Sequence, residues 1–158
     1  MTQLKPRSKS TRILLWIGAG LGGLILVFAI FIGVMMRRMS SVPSDLDTST
    51  MRPSNNGLFH VSYTPSSDTV PVNQMHQWTL HVETADGQPV ENAAITLDGG
   101  MPQMGHGLLT RPQVMEYLGN GDYLVEGLKF EMAGWWVMDF TITAQGQSDA
   151  VRFNMILE

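Results

Sequence analysis

The run Trp136-Val137-Met138-Asp139-Phe140-Thr141-Ile142-Thr143, closed by Gln145-Gly146-Gln147 and followed by Val151-Arg152-Phe153-Asn154-Met155-Ile156-Leu157, decides the fold. Trp136, Met138, Phe140 and Ile142 alternate with Val137, Asp139, Thr141 and Thr143. In the second half, Val151, Phe153, Met155 and Leu157 alternate with Arg152, Asn154 and Ile156. A repeat of two is what a strand shows when one face meets a core and the other meets water. A glycine-centred turn between two such runs makes them neighbours in one antiparallel sheet.

The same pattern extends toward the N-terminus. Gly119-Asn120-Gly121-Asp122 separates residues 114–118 from 123–128 and predicts a hairpin. His76, Trp78, Leu80 and Val82 share one face of a strand, with Gln77, Thr79, His81 and Glu83 on the other. Ala85-Asp86-Gly87-Gln88-Pro89 breaks that run, and Ala94-Ile95-Thr96-Leu97 begins a short strand that ends at Asp98-Gly99-Gly100. With residues 58–63 this makes about seven strands over residues 57–158, and no segment after Gly57 carries a useful helical period. The expected class is all-β, an immunoglobulin-like β-sandwich, with a small Greek-key barrel as the second architecture.

Residues 13–36 contain no charged side chain. As a helix they reach about 36 Å, enough to cross a hydrocarbon core of about 30 Å with some tilt. The run ends in Val34-Met35-Met36-Arg37-Arg38 without a small-x-small cleavage pattern, so it reads as an uncleaved transmembrane helix. Lys5, Arg7, Lys9 and Arg12 make residues 1–12 a basic tail that favours a cytoplasmic N-terminus. The chain is then a single-pass protein of the cytoplasmic membrane, in contact with the lipid bilayer, and its C-terminal domain lies in the periplasm or otherwise outside the cytoplasm. Residues 37–56, rich in Ser, Thr, Pro and Asp, read as a flexible linker.

Composition narrows the function. At 158 residues the chain holds one ordinary domain. With no cysteine, it has no disulfide framework, no thiolate metal site and no Cys nucleophile. From Gly57 onward, 12 Asp and Glu stand against Arg111, Lys129 and Arg152, a balance of −9 that repels nucleic acid. There is no G-x-S-x-G elbow, P-loop, HExxH, EF-hand loop or dinucleotide fingerprint, and no nucleophile–base pair is apparent, so an enzyme is not expected.

One segment stands apart: Gly99-Gly100-Met101-Pro102-Gln103-Met104-Gly105-His106-Gly107. Thioether sulfur is soft and neutral and favours Cu(I), and imidazole suits copper in either oxidation state. The glycines around His106 let Met101, Met104 and His106 turn toward one point. His76 and Met132 are further candidate ligands. The plainer reading stays beside this one: methionine also fills gaps under loops, and His76 shares the apolar face of Trp78 and reads equally as a core histidine. Met132 reads equally as core.

Met75-His76-Gln77-Trp78, Gly87-Gln88-Pro89-Val90, Met101-Pro102-Gln103-Met104-Gly105-His106-Gly107, Gly121-Asp122-Tyr123 and Phe130-Glu131-Met132-Ala133-Gly134-Trp135-Trp136 together resemble the YtkA-like domain, whose members are often grouped as FixH-like. The resemblance covers about residues 57–158. It implies an extracytoplasmic β-sandwich on a membrane anchor with a role in handling copper or assembling copper-containing respiratory oxidases. Members often show histidine where this chain has Met104, and a methionine there shifts the preference toward Cu(I). The expectation is a copper-binding protein that delivers or buffers the metal for a copper-dependent membrane complex through Met101, Met104 and His106, with His76 or Met132. The alternative is a non-metal interaction or structural module of a membrane complex.

Overall fold

The computed structural model describes residues 23–35 and 42–158. The expected basic tail (1–12), residues 13–22 and 36 of the expected anchor and residues 37–41 of the expected linker lie outside the described residues. Residues 23–35 form one helix. Among the described residues no helix is long and apolar enough to cross a membrane.

Residues 42–158 form a separate compact unit of two antiparallel sheets. Its strands are β1 (Met51–Pro53), β2 (Phe59–Pro65), β3 (His76–Thr84), β4 (Ala94–Met101), β5 (His106–Gly107), β6 (Gln113–Gly119), β7 (Asp122–Leu128), β8 (Gly134–Ala144) and β9 (Gln147–Leu157). One sheet runs β1-β2-β3-β7-β6 and the other β5-β4-β8-β9. The sandwich therefore has nine strands where the sequence pattern predicts about seven. The two additional ones, β1 and β5, are only three and two residues long, too short to show a period of their own.

The two-residue repeat gives the inner faces directly. Trp78, Leu80 and Val82 of β3, Tyr123 and Val125 of β7, and Phe59, Val61 and Tyr63 of β2 are buried from one side. Trp136, Met138, Phe140 and Ile142 of β8 and Val151, Phe153, Met155 and Leu157 of β9 are buried from the other. Aromatic rings bind the layers. Tyr63 stacks on Trp78 at 4.3 Å and meets Phe153 of the opposite sheet edge-on at 5.0 Å. Tyr123 adds a polar tie: its hydroxyl donates to the Val90 carbonyl at 2.7 Å and accepts from the Ala93 amide at 3.0 Å, fixing the crossover between the sheets.

The linker is shorter than its composition predicts. Residues 51–56 belong to the folded unit: β1 pairs with β2, and the Asn55 amide donates to the Ala150 carbonyl at 2.8 Å. The Arg52 guanidinium donates to the Arg152 carbonyl at 2.8 Å, and the Asn154 side-chain Nδ2 to the Asp47 carbonyl at 3.1 Å. This strap lies along the outer edge of β9, where unpaired backbone groups would otherwise be open to another chain. Asp149 anchors it, accepting from the Asn56 amide and side chain at 2.9 Å and from the Ala150 amide at 2.8 Å. Burial raises the Asp149 carboxyl, but hydrogen bonds from Ser54, Ala150, Asn56 and Leu58 outweigh it and hold the pKa at about 2. Asp149 accordingly supports the fold down to acidic pH.

On the outer face of the five-stranded sheet, His81 of β3 sits between two carboxylates. Its Nδ1 is 2.6 Å from Asp122 of β7 and its Nε2 is 3.1 Å from Glu83. Burial lowers its pKa, but the bonds to Glu83 and Asp122 prevail and raise it above the ordinary value. A raised folded-state pKa means stability fully present below the unfolded-state value of about 6.5 and lost as pH rises through the folded-state pKa. Chemical denaturation across neutral pH should show that loss, and His81→Gln should flatten it. Tyr123→Phe removes both bonds of the crossover tie and should cost about 2 kcal/mol in the same assay, with the two sheets retained by circular dichroism.

Candidate functional site

β4 runs from Ala94 to Met101, four residues beyond the tetrapeptide that the sequence pattern assigns to it. The glycines at 99 and 100 are strand residues, and each is needed for close approach. A Cβ on Gly99 would lie 2.4 Å from the Met138 sulfur, and one on Gly100 would lie 2.7 Å from the His106 carbonyl oxygen. Their lack of side chains lets β4 press on β8 and lets β5 close over its end, with Met101 paired to His106. The Met104 and Gly105 amides both donate to the Met101 carbonyl, at 3.1 and 3.0 Å, and make a tight turn of residues 102–105. Gly105 has φ +68°, a conformation that glycine adopts without strain.

This turn sorts the expected ligands. Met101 continues the inner face of β4 after Ile95, Leu97 and Gly99. It is 3 % exposed, is part of the core, and its methyl carbon fills the space over Gly134. Met104 at the tip of the turn is 61 % exposed. His106 is exposed; its Nδ1 lies 3.3 Å from the Gly107 carbonyl, and its ring meets the buried Trp136 edge-on at 6.1 Å.

His76 and Met132 belong to the same end of the sandwich. His76 opens β3, opposite Leu128 at the close of β7, and Met132 lies in the connection from β7 to β8. A chain of ring contacts runs from His76 to Phe130 at 5.4 Å, from Phe130 to Trp136 at 5.1 Å, and from Trp136 to His106. His76 is 8 % exposed. Its Nδ1–H is placed to donate to the Gln74 carbonyl at 3.2 Å, while Nε2 is buried without a hydrogen-bond partner. Burial lowers its pKa and outweighs the opposing bond to Gln74, so the ring is neutral at neutral pH. Met132 is exposed, and its carbonyl accepts from the Trp136 indole at 2.9 Å.

The strands therefore gather Met101, Met104, His106, His76 and Met132 at one end, in three environments. Met104, His106 and Met132 face solvent, Met101 lies in the core, and His76 is buried against Phe130. The expectation that Met101 turns from a glycine-rich loop toward the same point as Met104 and His106 is corrected: Met101 is the last residue of β4 and is buried. Met75, also exposed, lies beside His76 and adds a thioether to this end. Among the described residues no three His, Asp or Glu side chains are grouped so as to hold a metal ion.

No curated protein matches the chain. A solved structure, the ZirS C-terminal domain, aligns with a TM-score of 0.38 and 16 % identity over 72 % of this chain and 80 % of that one. The YtkA-like family model matches residues 53–141, more than half of the chain, from the end of β1 through most of β8. The chain belongs to the YtkA-like family.

Proposed function

We propose that this protein is a membrane-anchored, extracytoplasmic copper-binding module that buffers or delivers copper, as cargo, to a copper-dependent membrane complex. The observation that carries the reading is the exposure of Met104 on the tight turn and of His106 directly after it, with Met132 exposed at the same end. None of these three side chains is spent on the core. The donor set fits the metal: neutral thioethers and an imidazole suit Cu(I) and need no thiolate. Met101 supplies a sulfur beneath the turn, and His76 supplies a neutral imidazole whose Nε2 carries a free lone pair. His76 is 8 % exposed, so Met104 and His106 are the entry ligands and His76 an inner one.

The reading also takes in the apolar run 13–36 as the anchor, the basic tail 1–12 as its cytoplasmic flank, the immunoglobulin-like form of the sandwich and the FixH-like arrangement of anchor and domain. Binding and release of an ion require no catalytic group.

Anaerobic Cu(I) competition on the full-length chain in detergent tests the site. Wild type should withdraw Cu(I) from a chromophoric chelator, and Met104→Ala/His106→Ala should lose at least about tenfold in affinity, equivalent to about 1.4 kcal/mol. Equal and negligible uptake by both folded proteins would remove the copper reading. Carbonate extraction tests the anchor: the intact chain should remain in the membrane pellet, and release of a shortened product would identify a cleaved leader.

A further inference from the structure

A second feature lies on the flank of the sandwich, apart from the methionine end. β4 pairs with β8 from Ala94 to Gly100 on one side, but on the other it meets β5 only at Gly100 and Met101. The Leu108 amide donates to the Gly99 carbonyl and the Met104 and Gly105 amides to that of Met101, so the odd-numbered residues of β4 turn their backbone groups to this side. By the two-residue repeat, the N–H and C=O of Ile95 and Leu97 point the same way. Among the described residues no strand pairs with them. Among the described residues no strap of the kind that covers β9 pairs with this stretch.

Beside it runs a groove of about 540 Å³ between residues 95–98 and residues 108–114. Ile95, Leu97, Leu108 and Val114 are partly buried apolar side chains packed against the core, and Asp98 and Arg111 also line it. Arg111 is a cation in an acidic domain. Arg152 is bound in a two-pronged pair by Asp139 at 2.7 Å, whereas Arg111 has no ion pair among the described residues.

We propose that the open edge of β4 from Ala94 to Asp98 is a docking slot for an extended peptide segment of a partner protein, taken up as an added strand with an acidic side chain set against Arg111. Main-chain bonds to Ile95 and Leu97 hold the segment, and alternate apolar side chains enter the groove, which is how strand addition divides affinity from specificity. Residues 110–114 wall the far side, a geometry that suits one extended chain better than the edge of a second sandwich. The slot is independent of copper binding.

The test uses the full-length ¹⁵N-labelled chain in detergent micelles. The probe is a synthetic octapeptide of alternating valine and threonine ending in two glutamates. Saturable amide shifts are expected at residues 94–98 and 108–114, with slowed hydrogen exchange at Ile95 and Leu97. Methylating alternate peptide nitrogens should abolish them. Arg111→Glu should weaken binding roughly threefold, and a lysine-ended peptide should recover it on that variant. The proposal fails if no saturable shift occurs up to about 1 mM peptide, if the shifts lie elsewhere, or if they ignore nitrogen methylation. It also fails if the edge amides become protected on raising the protein concentration alone, which would make the occupant a second copy.

Discussion

The contact on which the sandwich depends is the wedge of Tyr63 between Trp78 of its own sheet and Phe153 of the opposite one. A sandwich without cysteine has no covalent tie between its layers, so shape and apolar burial must hold them together. Aromatic side chains suit this task because each buries a large area and prefers offset or edge-on neighbours, which sets the spacing and rotation of the sheets. From Tyr63 the rings continue to Phe140 through Phe153, and through Trp78 and Phe130 to Trp136. The aromatic series that closes the core is thus the same one that supports His76 and His106.

That continuity separates the roles of the two ends. At one end, His81 is gripped by Asp122 and Glu83, and Asp149 is wrapped by donors from residues 56–58 and 150. Polar side chains there are consumed by structure. At the other end the polar atoms are left over: His76 Nε2 has no partner, and His106 has only a long bond to a neighbouring carbonyl. Buried polar groups are nearly always satisfied, so an unpartnered imidazole nitrogen next to exposed thioethers marks the end where the fold has given up some stability.

The parts of this arrangement legible in the sequence were those that repeat. The alternation of Trp136 to Ile142 and of Val151 to Leu157 fixed which side chains face inward, and all eight inner residues are buried. His76 sat on the apolar face of Trp78 in the pattern and does so in the fold. Strands β1 and β5 were illegible because strands of three and two residues have no period, and Pro53 and Gly107 read as linker and loop. The strap was hidden for another reason. Its bonds join residues about 100 apart, such as Asn55 with Ala150 and Arg52 with Arg152, and no local composition reports a partner that distant.

Gly99 and Gly100 show how the site itself was misread. Two adjacent glycines suggest a turn, because glycine is the residue that tolerates turn geometry. Glycine also serves where two backbones or a backbone and a side chain approach too closely for a Cβ, and the contacts with Met138 and His106 show that second use here. Ile95, Leu97, Gly99 and Met101 then form one unbroken alternation, with the glycine standing at an inner position where Met138 supplies the volume. Under that reading Met101 is core by register, whereas Met104 and His106, beyond β4, are exposed. The rigid sulfur and the exposed pair therefore come from one physical cause: a strand that needs no side chain at position 99 can continue to 101, and the turn begins only after it.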